Sequence, residues 1–174
     1  MEDEQTSSGE LPSLVISGGT VYVCATGDGL DSNGNLLISG GEVTVDGPSG
    51  SSNGALDSGS ENGGTCLVTG GTVLAIGASG MAEGFGSEST QCSVSLSGSF
   101  QAGQTLTLTD DAGNVLFTHT AAHSGDSTVF SNAALTEGMT VHLLINGTES
   151  ATGTAAYGCE GSSWGSWGWD SWGW

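Results

Sequence analysis

Lysine and arginine are absent from this chain, against 19 Asp and Glu, so its formal charge is −19. Nucleic-acid binding depends on basic side chains that neutralise phosphates, and none is available. Attraction to an anionic membrane surface fails for the same reason. Phosphate-handling enzymes lose their usual clamp. Proline is scarce at two residues, and charged residues make up only 11% of the chain. Long apolar runs are missing, so no transmembrane span is expected, and acidic Met1-Glu-Asp-Glu opens no signal peptide. No stretch keeps an amphipathic helical period over three turns. Without cationic side chains, the negative charge must be met by solvent counter-ions or by bound metal ions.

Glycine is abundant at 32 residues, and much of it sits in a repeat. Leu14-Val-Ile-Ser-Gly-Gly-Thr-Val-Tyr-Val, Leu36-Leu-Ile-Ser-Gly-Gly-Glu-Val-Thr-Val and Cys66-Leu-Val-Thr-Gly-Gly-Thr-Val-Leu-Ala are copies of one unit. Each is a short apolar strand, a Gly-Gly corner and a second strand with alternating side chains. One such unit cannot bury its own apolar face and must stack on the next. Stacking at about 4.8 Å, the spacing of neighbouring strands, predicts three interior columns: Ile16, Ile38 and Val68; Val21, Val43 and Val73; Val23, Val45 and Ala75. Val15, Leu37 and Leu67 form a further column that points outward.

From Cys92 the pattern changes. Ser93–Ser97, Gln104–Thr109, Asn114–Thr118, Thr128–Phe130 and Met139–Ile145 alternate apolar and polar residues, and Asp110-Asp-Ala-Gly-Asn reads as a hairpin turn. The expected fold is therefore all-β: a short right-handed parallel β-helix, or β-solenoid, with an antiparallel β cap and a Trp/Gly-rich C-terminal tail. Its parts are an acidic lead-in at 1–13, rungs at 14–91, a capping segment at 92–148 and a Gly/Ser/Trp-rich tail at 149–174.

Asp31, Asp57 and Glu83 recur at equal intervals after Gly-Leu, Ala-Leu and Met-Ala. In register, two like charges so close repel by on the order of 1 kcal/mol per pair even in water. A Ca²⁺ ion takes six to eight oxygens and turns that repulsion into coordination. The predicted ligands are Asp28, Asp31, Asn33, Asp57 and Glu83, with Asn35 and Asn53 also near in sequence. The alternative is a set of solvated turn residues, since Asp, Asn and Gly populate turns anyway. Four cysteines, Cys24, Cys66, Cys92 and Cys159, suggest two disulfides and a secreted or cell-surface protein. His119, His123 and His142 are expected on the surface of the capping segment, and the Asn146-Gly-Thr sequon is expected to be unmodified. All five tryptophans, Trp164, Trp167, Trp169, Trp172 and Trp174, crowd the C-terminus. Three roles fit them: stacking on sugars, self-association, and covering the protein's own apolar edge.

The ordered run Gly27-Asp-Gly-Leu-Asp-Ser-Asn-Gly-Asn, Leu36-Leu-Ile-Ser-Gly-Gly-Glu-Val-Thr-Val, Asn53-Gly-Ala-Leu-Asp and Val68-Thr-Gly-Gly-Thr-Val-Leu-Ala-Ile-Gly-Ala-Ser-Gly-Met-Ala resembles the clostridial-type secreted carbohydrate-binding domain-containing proteins. Asp111-Ala-Gly-Asn-Val and Glu137-Gly-Met-Thr-Val resemble that family's closing strands, and the likeness spans residues 14–148. It implies a parallel β-helix similar to pectate lyases, calcium at the turns, and binding of cellulose- or pectin-like polysaccharide without catalysis. The lyases' basic catalytic side chain has no counterpart here, so no catalytic residue is expected. The first functional expectation is a secreted calcium-binding module for polysaccharide. The second is a subunit of an extracellular filament or surface layer, joined to copies of itself through β-edges and the Trp tail.

Overall fold

Short apolar strands separated by Gly-rich turns make strands the regular elements among the described residues, apart from a 3-10 turn at Ser60–Asn62. The structure is a computed structural model and describes residues 10–158. The strands are β1 (Ser13–Cys24), β2 (Leu30–Asp31), β3 (Asn35–Asp46), β4 (Leu56–Asp57), β5 (Cys66–Val68), β6 (Thr72–Gly77), β7 (Ser93–Phe100), β8 (Thr105–Thr109), β9 (Val115–Thr120), β10 (Gly125–Ser131), β11 (Thr140–Ile145) and β12 (Thr148–Thr154).

The three sequence copies lie parallel and in register. β1 pairs with β3, and β3 pairs in turn with β5 and β6. The expected columns are all present: Ile16 opposes Ile38 and Ile38 opposes Val68; Val21, Val43 and Val73 align; so do Val23, Val45 and Ala75. Their side chains form one apolar core with Leu30, Leu36, Leu56, Phe85 and Val129. Val15, Leu37 and Leu67 align on the opposite face, and Val15 is exposed. The second glycine of each pair adopts a left-handed φ, 79° at Gly19, 89° at Gly41 and 85° at Gly71. At Gly41 and Gly71 a Cβ would also stand 2.7 Å from a carbonyl oxygen of the preceding layer, so Gly is required twice over.

β10 runs antiparallel to β6, and β7 antiparallel to β10, giving a mixed six-stranded sheet in the order β1-β3-β6-β10-β7 with β5 also on β3. A four-stranded antiparallel sheet, β12-β11-β8-β9, packs against its far end. The side chains of β6 divide between two cores. Val73 and Ala75 join the first, while Leu74 and Ile76 join a second with Val94, Leu96, Phe100, Leu106, Leu108, Phe130, Val141 and Leu143. Burying each such side chain contributes about 1.5–3 kcal/mol, so β6, which feeds both cores, ties the closing sheets to the repeats.

Two expectations change. The capping segment does not merely abut the repeats, because β10 hydrogen-bonds to β6 within one sheet. The antiparallel part also runs past residue 148: β12 occupies Thr148–Thr154, and Ala156 bridges to Ser93. This strand has no large apolar side chain to announce it. It is held by its backbone ladder to β11, and its small residues let it approach β7, where a Cβ at Gly153 would lie 2.8 Å from Val94.

Candidate metal centre

β2 and β4 are two residues each, and their pairing opposes Leu30 to Leu56 and Asp31 to Asp57. The leucines turn into the core and set the register. The aspartates are thereby forced side by side at the mouth of the turns. Asp28 joins them, anchored by the backbone N–H of Gly54, which donates to its Oδ1 at 2.9 Å. Carboxylate oxygens of Asp28, Asp31 and Asp57 lie within 4.8 Å of one another.

The electrostatic consequence falls on Asp57. Partial burial, the hydrogen bond to Asp28 and the charges of Asp28, Asp31 and Glu83 push its carboxyl up from the usual 3.8 to about 7. Near neutrality the protein therefore holds a proton among these acids, where a divalent cation would serve the same purpose. Three carboxylates supply hard oxygen donors, and solvent and backbone carbonyls can complete a Ca²⁺ shell.

The other expected ligands are placed differently. Glu83 accepts hydrogen bonds from the backbone N–H of Ser58, at 2.8 Å, and from the Ser58 hydroxyl, so it secures the turn beside Asp57 and stands outside the converging three. Asn33 is exposed. Asn35 Oδ1 accepts from the backbone N–H of Thr65 at 3.0 Å, bridging two layers. Carboxylates of two layers thus converge tightly, and Glu83 of the third acts on Asp57 through its charge.

The two-disulfide expectation is corrected, because Cys24, Cys66 and Cys92 are free thiols. Cys66 lies in the core of the repeats and Cys92 in the second core, so packing holds them apart. Burial, with a smaller effect of Glu83, pushes the Cys66 thiol well up. Cys159 and Trp164, Trp167, Trp169, Trp172 and Trp174 lie outside the described residues.

Compared with family models, curated proteins and solved structures, the chain matches none. The site must therefore be read from its own geometry.

Two histidines are not the plain surface residues expected. Asp46, at the end of β3, is 1% exposed, and its carboxylate accepts from Tyr22 Oη at 2.5 Å, engages His119 Nε2 at 2.8 Å and accepts from the Ala122 N–H at 3.0 Å. In a chain without Lys or Arg these are the donors left for a buried carboxylate. The hydrogen bond to Asp46 also pushes the Tyr22 phenol well up. His123 Nδ1 meets the Gly47 carbonyl oxygen at 2.9 Å. Nothing in the sequence marked Asp46, because its neighbours Val45 and Gly47 make it look like another turn residue. His142 conforms better: it lies between Asp111 and Glu149 on the antiparallel sheet, and those hydrogen bonds raise its pKa.

Proposed function

We propose that this protein is a secreted, non-catalytic, calcium-binding module that engages polysaccharide, built as a short right-handed parallel β-solenoid with an antiparallel cap. The observation that carries the reading is the convergence of Asp28, Asp31 and Asp57 within 4.8 Å. The in-register pairing of β1, β3 and β5–β6, with β2 on β4 as a second face, supports the solenoid. A Ca²⁺ ion held there has open coordination positions. These suit the carboxylates of a uronate chain or the hydroxyls of a neutral glycan, in line with the resemblance in sequence. The test is calorimetric titration of calcium, followed by pull-down on pectin and cellulose with and without EDTA. Calcium uptake lost in Asp31→Asn with Asp57→Asn, and calcium-dependent retention on polysaccharide, are the expected results. No calcium uptake by the unsubstituted chain refutes the reading.

A second reading, a subunit of an extracellular filament or surface layer, has its own support. Among the described residues β1 has a partner on one side only, and its Leu14, Ile16, Val21 and Val23 are only partly buried, whereas Leu36, Ile38, Val43 and Val45 one layer below are fully covered. Such an edge invites strand addition. Electron microscopy in calcium and in EDTA, with and without residues 161–174, separates the two. Calcium-dependent polymers that vanish with the truncation favour assembly.

A further inference from the structure

Cys24 closes β1, and its exposed Sγ lies 3.7 Å from His123 Nε2. The other ring nitrogen, Nδ1, is 2.9 Å from the Gly47 carbonyl oxygen. A carbonyl only accepts, so Nδ1 carries the proton, and in the neutral ring Nε2 presents a lone pair to the thiol. Thiol, base and base-orienting group are thus arranged in series, the pattern of an activated nucleophile. The surrounding fold fixes it. Asp46, which pairs with Cys24 across β1 and β3, accepts from the Ala122 N–H at 3.0 Å, and Ser124 Oγ donates to Ser49 Oγ at 3.3 Å, so His123 is pinned from both sides.

We propose that Cys24 and His123 form a nucleophilic thiol site whose reaction partner is a small-molecule disulfide. The thiol proton passes to His123 Nε2. Sγ then bonds to one sulfur of the disulfide, and the S–S bond breaks with its electron pair on the other sulfur. His123 returns the proton to that leaving thiolate. Cys24 is oxidised to a mixed disulfide and the departing thiol is the reduced product, so no further reagent is consumed. A disulfide suits the site better than an acyl group, because attack on sulfur needs no oxyanion-stabilising donors and the thiol stands open to solvent. Asp46 acts here as a positioning residue. The other titratable groups facing the site are Tyr22 and His119: both engage Asp46, and the Tyr22 side chain also meets Cys24. The proposal is independent of calcium binding.

The test uses the full chain carrying Cys159→Ser, with Cys66 and Cys92 shielded by burial. The probe is 4,4′-dithiodipyridine, a neutral disulfide chosen because the chain bears a charge of −19. One fast-reacting thiol is expected, absent when Cys24→Ser is added. Its rate should climb less steeply between pH 6 and pH 8 than that of an unassisted thiol, which gains about tenfold per pH unit below its pKa. His123→Gln should slow the reaction at pH 7 by about tenfold and restore that climb. That full climb in the parent chain overturns the proposal, and this readout stands even where the His123 variant fails to fold. An unchanged rate in a folded His123→Gln variant also overturns it. So does a thiol that stays silent until EDTA is added, which would make the pair a metal site.

Discussion

Asp57 shows how much one residue depends on its neighbours. Its folded pKa is raised from 3.8 to about 7, so the folded state holds a proton that the unfolded state has released. Stability in EDTA is therefore expected to fall as pH rises from about 4 to about 7 and to level off above. Melting curves across that range should show the slope, and Asp57→Asn should remove it. Calcium requires the ionised carboxylate, so its affinity should weaken below pH 7, by up to about tenfold per unit if one proton is displaced. An affinity that is flat between pH 5 and pH 7 would contradict this. Asp46 makes the opposite case, a buried carboxylate met by Tyr22, His119 and the Ala122 N–H. Asp46→Ala leaves Tyr22, His119 and the Ala122 N–H without their acceptor and should cost about 2–4 kcal/mol in denaturant unfolding. Asp31 and Asp57 were legible from their repeated context. Asp46 was not, because its partners His119 and Ala122 come from β9 and the loop after it, far along the chain.

At the scale of elements, the Gly-Gly corners carry the register of the repeats. Gly19 and Gly71 share a left-handed φ but not an environment: a Cβ at Gly19 meets nothing within 4 Å, whereas one at Gly71 stands 2.7 Å from the Gly41 carbonyl oxygen. Gly19→Ala should cost about 1–2 kcal/mol from backbone strain alone, and Gly71→Ala should cost clearly more. Equal losses in thermal melts would show that close approach between layers is not what the corner requires. The strands of the repeats were readable because identical apolar positions recur at matching places in each copy. β7 to β11 were readable from their period of two. β12 was missed because Thr148–Thr154 offers only small and polar residues, and a strand held by backbone pairing leaves no side-chain signature.

For the molecule as a whole, a charge of −19 with no fixed cation opposes compaction. In EDTA, added sodium chloride should raise the melting temperature by screening, since the Debye length falls from about 10 Å at 0.1 M to about 3 Å at 1 M. Millimolar calcium should raise it further at constant ionic strength, by occupying a site. Magnesium, which demands a tighter octahedral shell and dehydrates reluctantly, should do less. Calcium that acts no better than magnesium or sodium at matched ionic strength would mean that the acids are only a screened surface.

The sequence by itself determined that the chain is all-β, which residues stack into columns, where the glycine corners fall, and that Asp31 meets Asp57. Each of these follows from local repetition, because equal units of backbone stacked in register bring equal positions together. Only the tertiary structure decided that β10 enters the sheet of the repeats, that Cys66 and Cys92 fall in separate cores, that Glu83 turns to Ser58, and that Cys24, Asp46, His119 and His123 gather at the junction. Those contacts join segments with no shared pattern, so the packing of two cores about β6 sets them and no spacing along the chain records them.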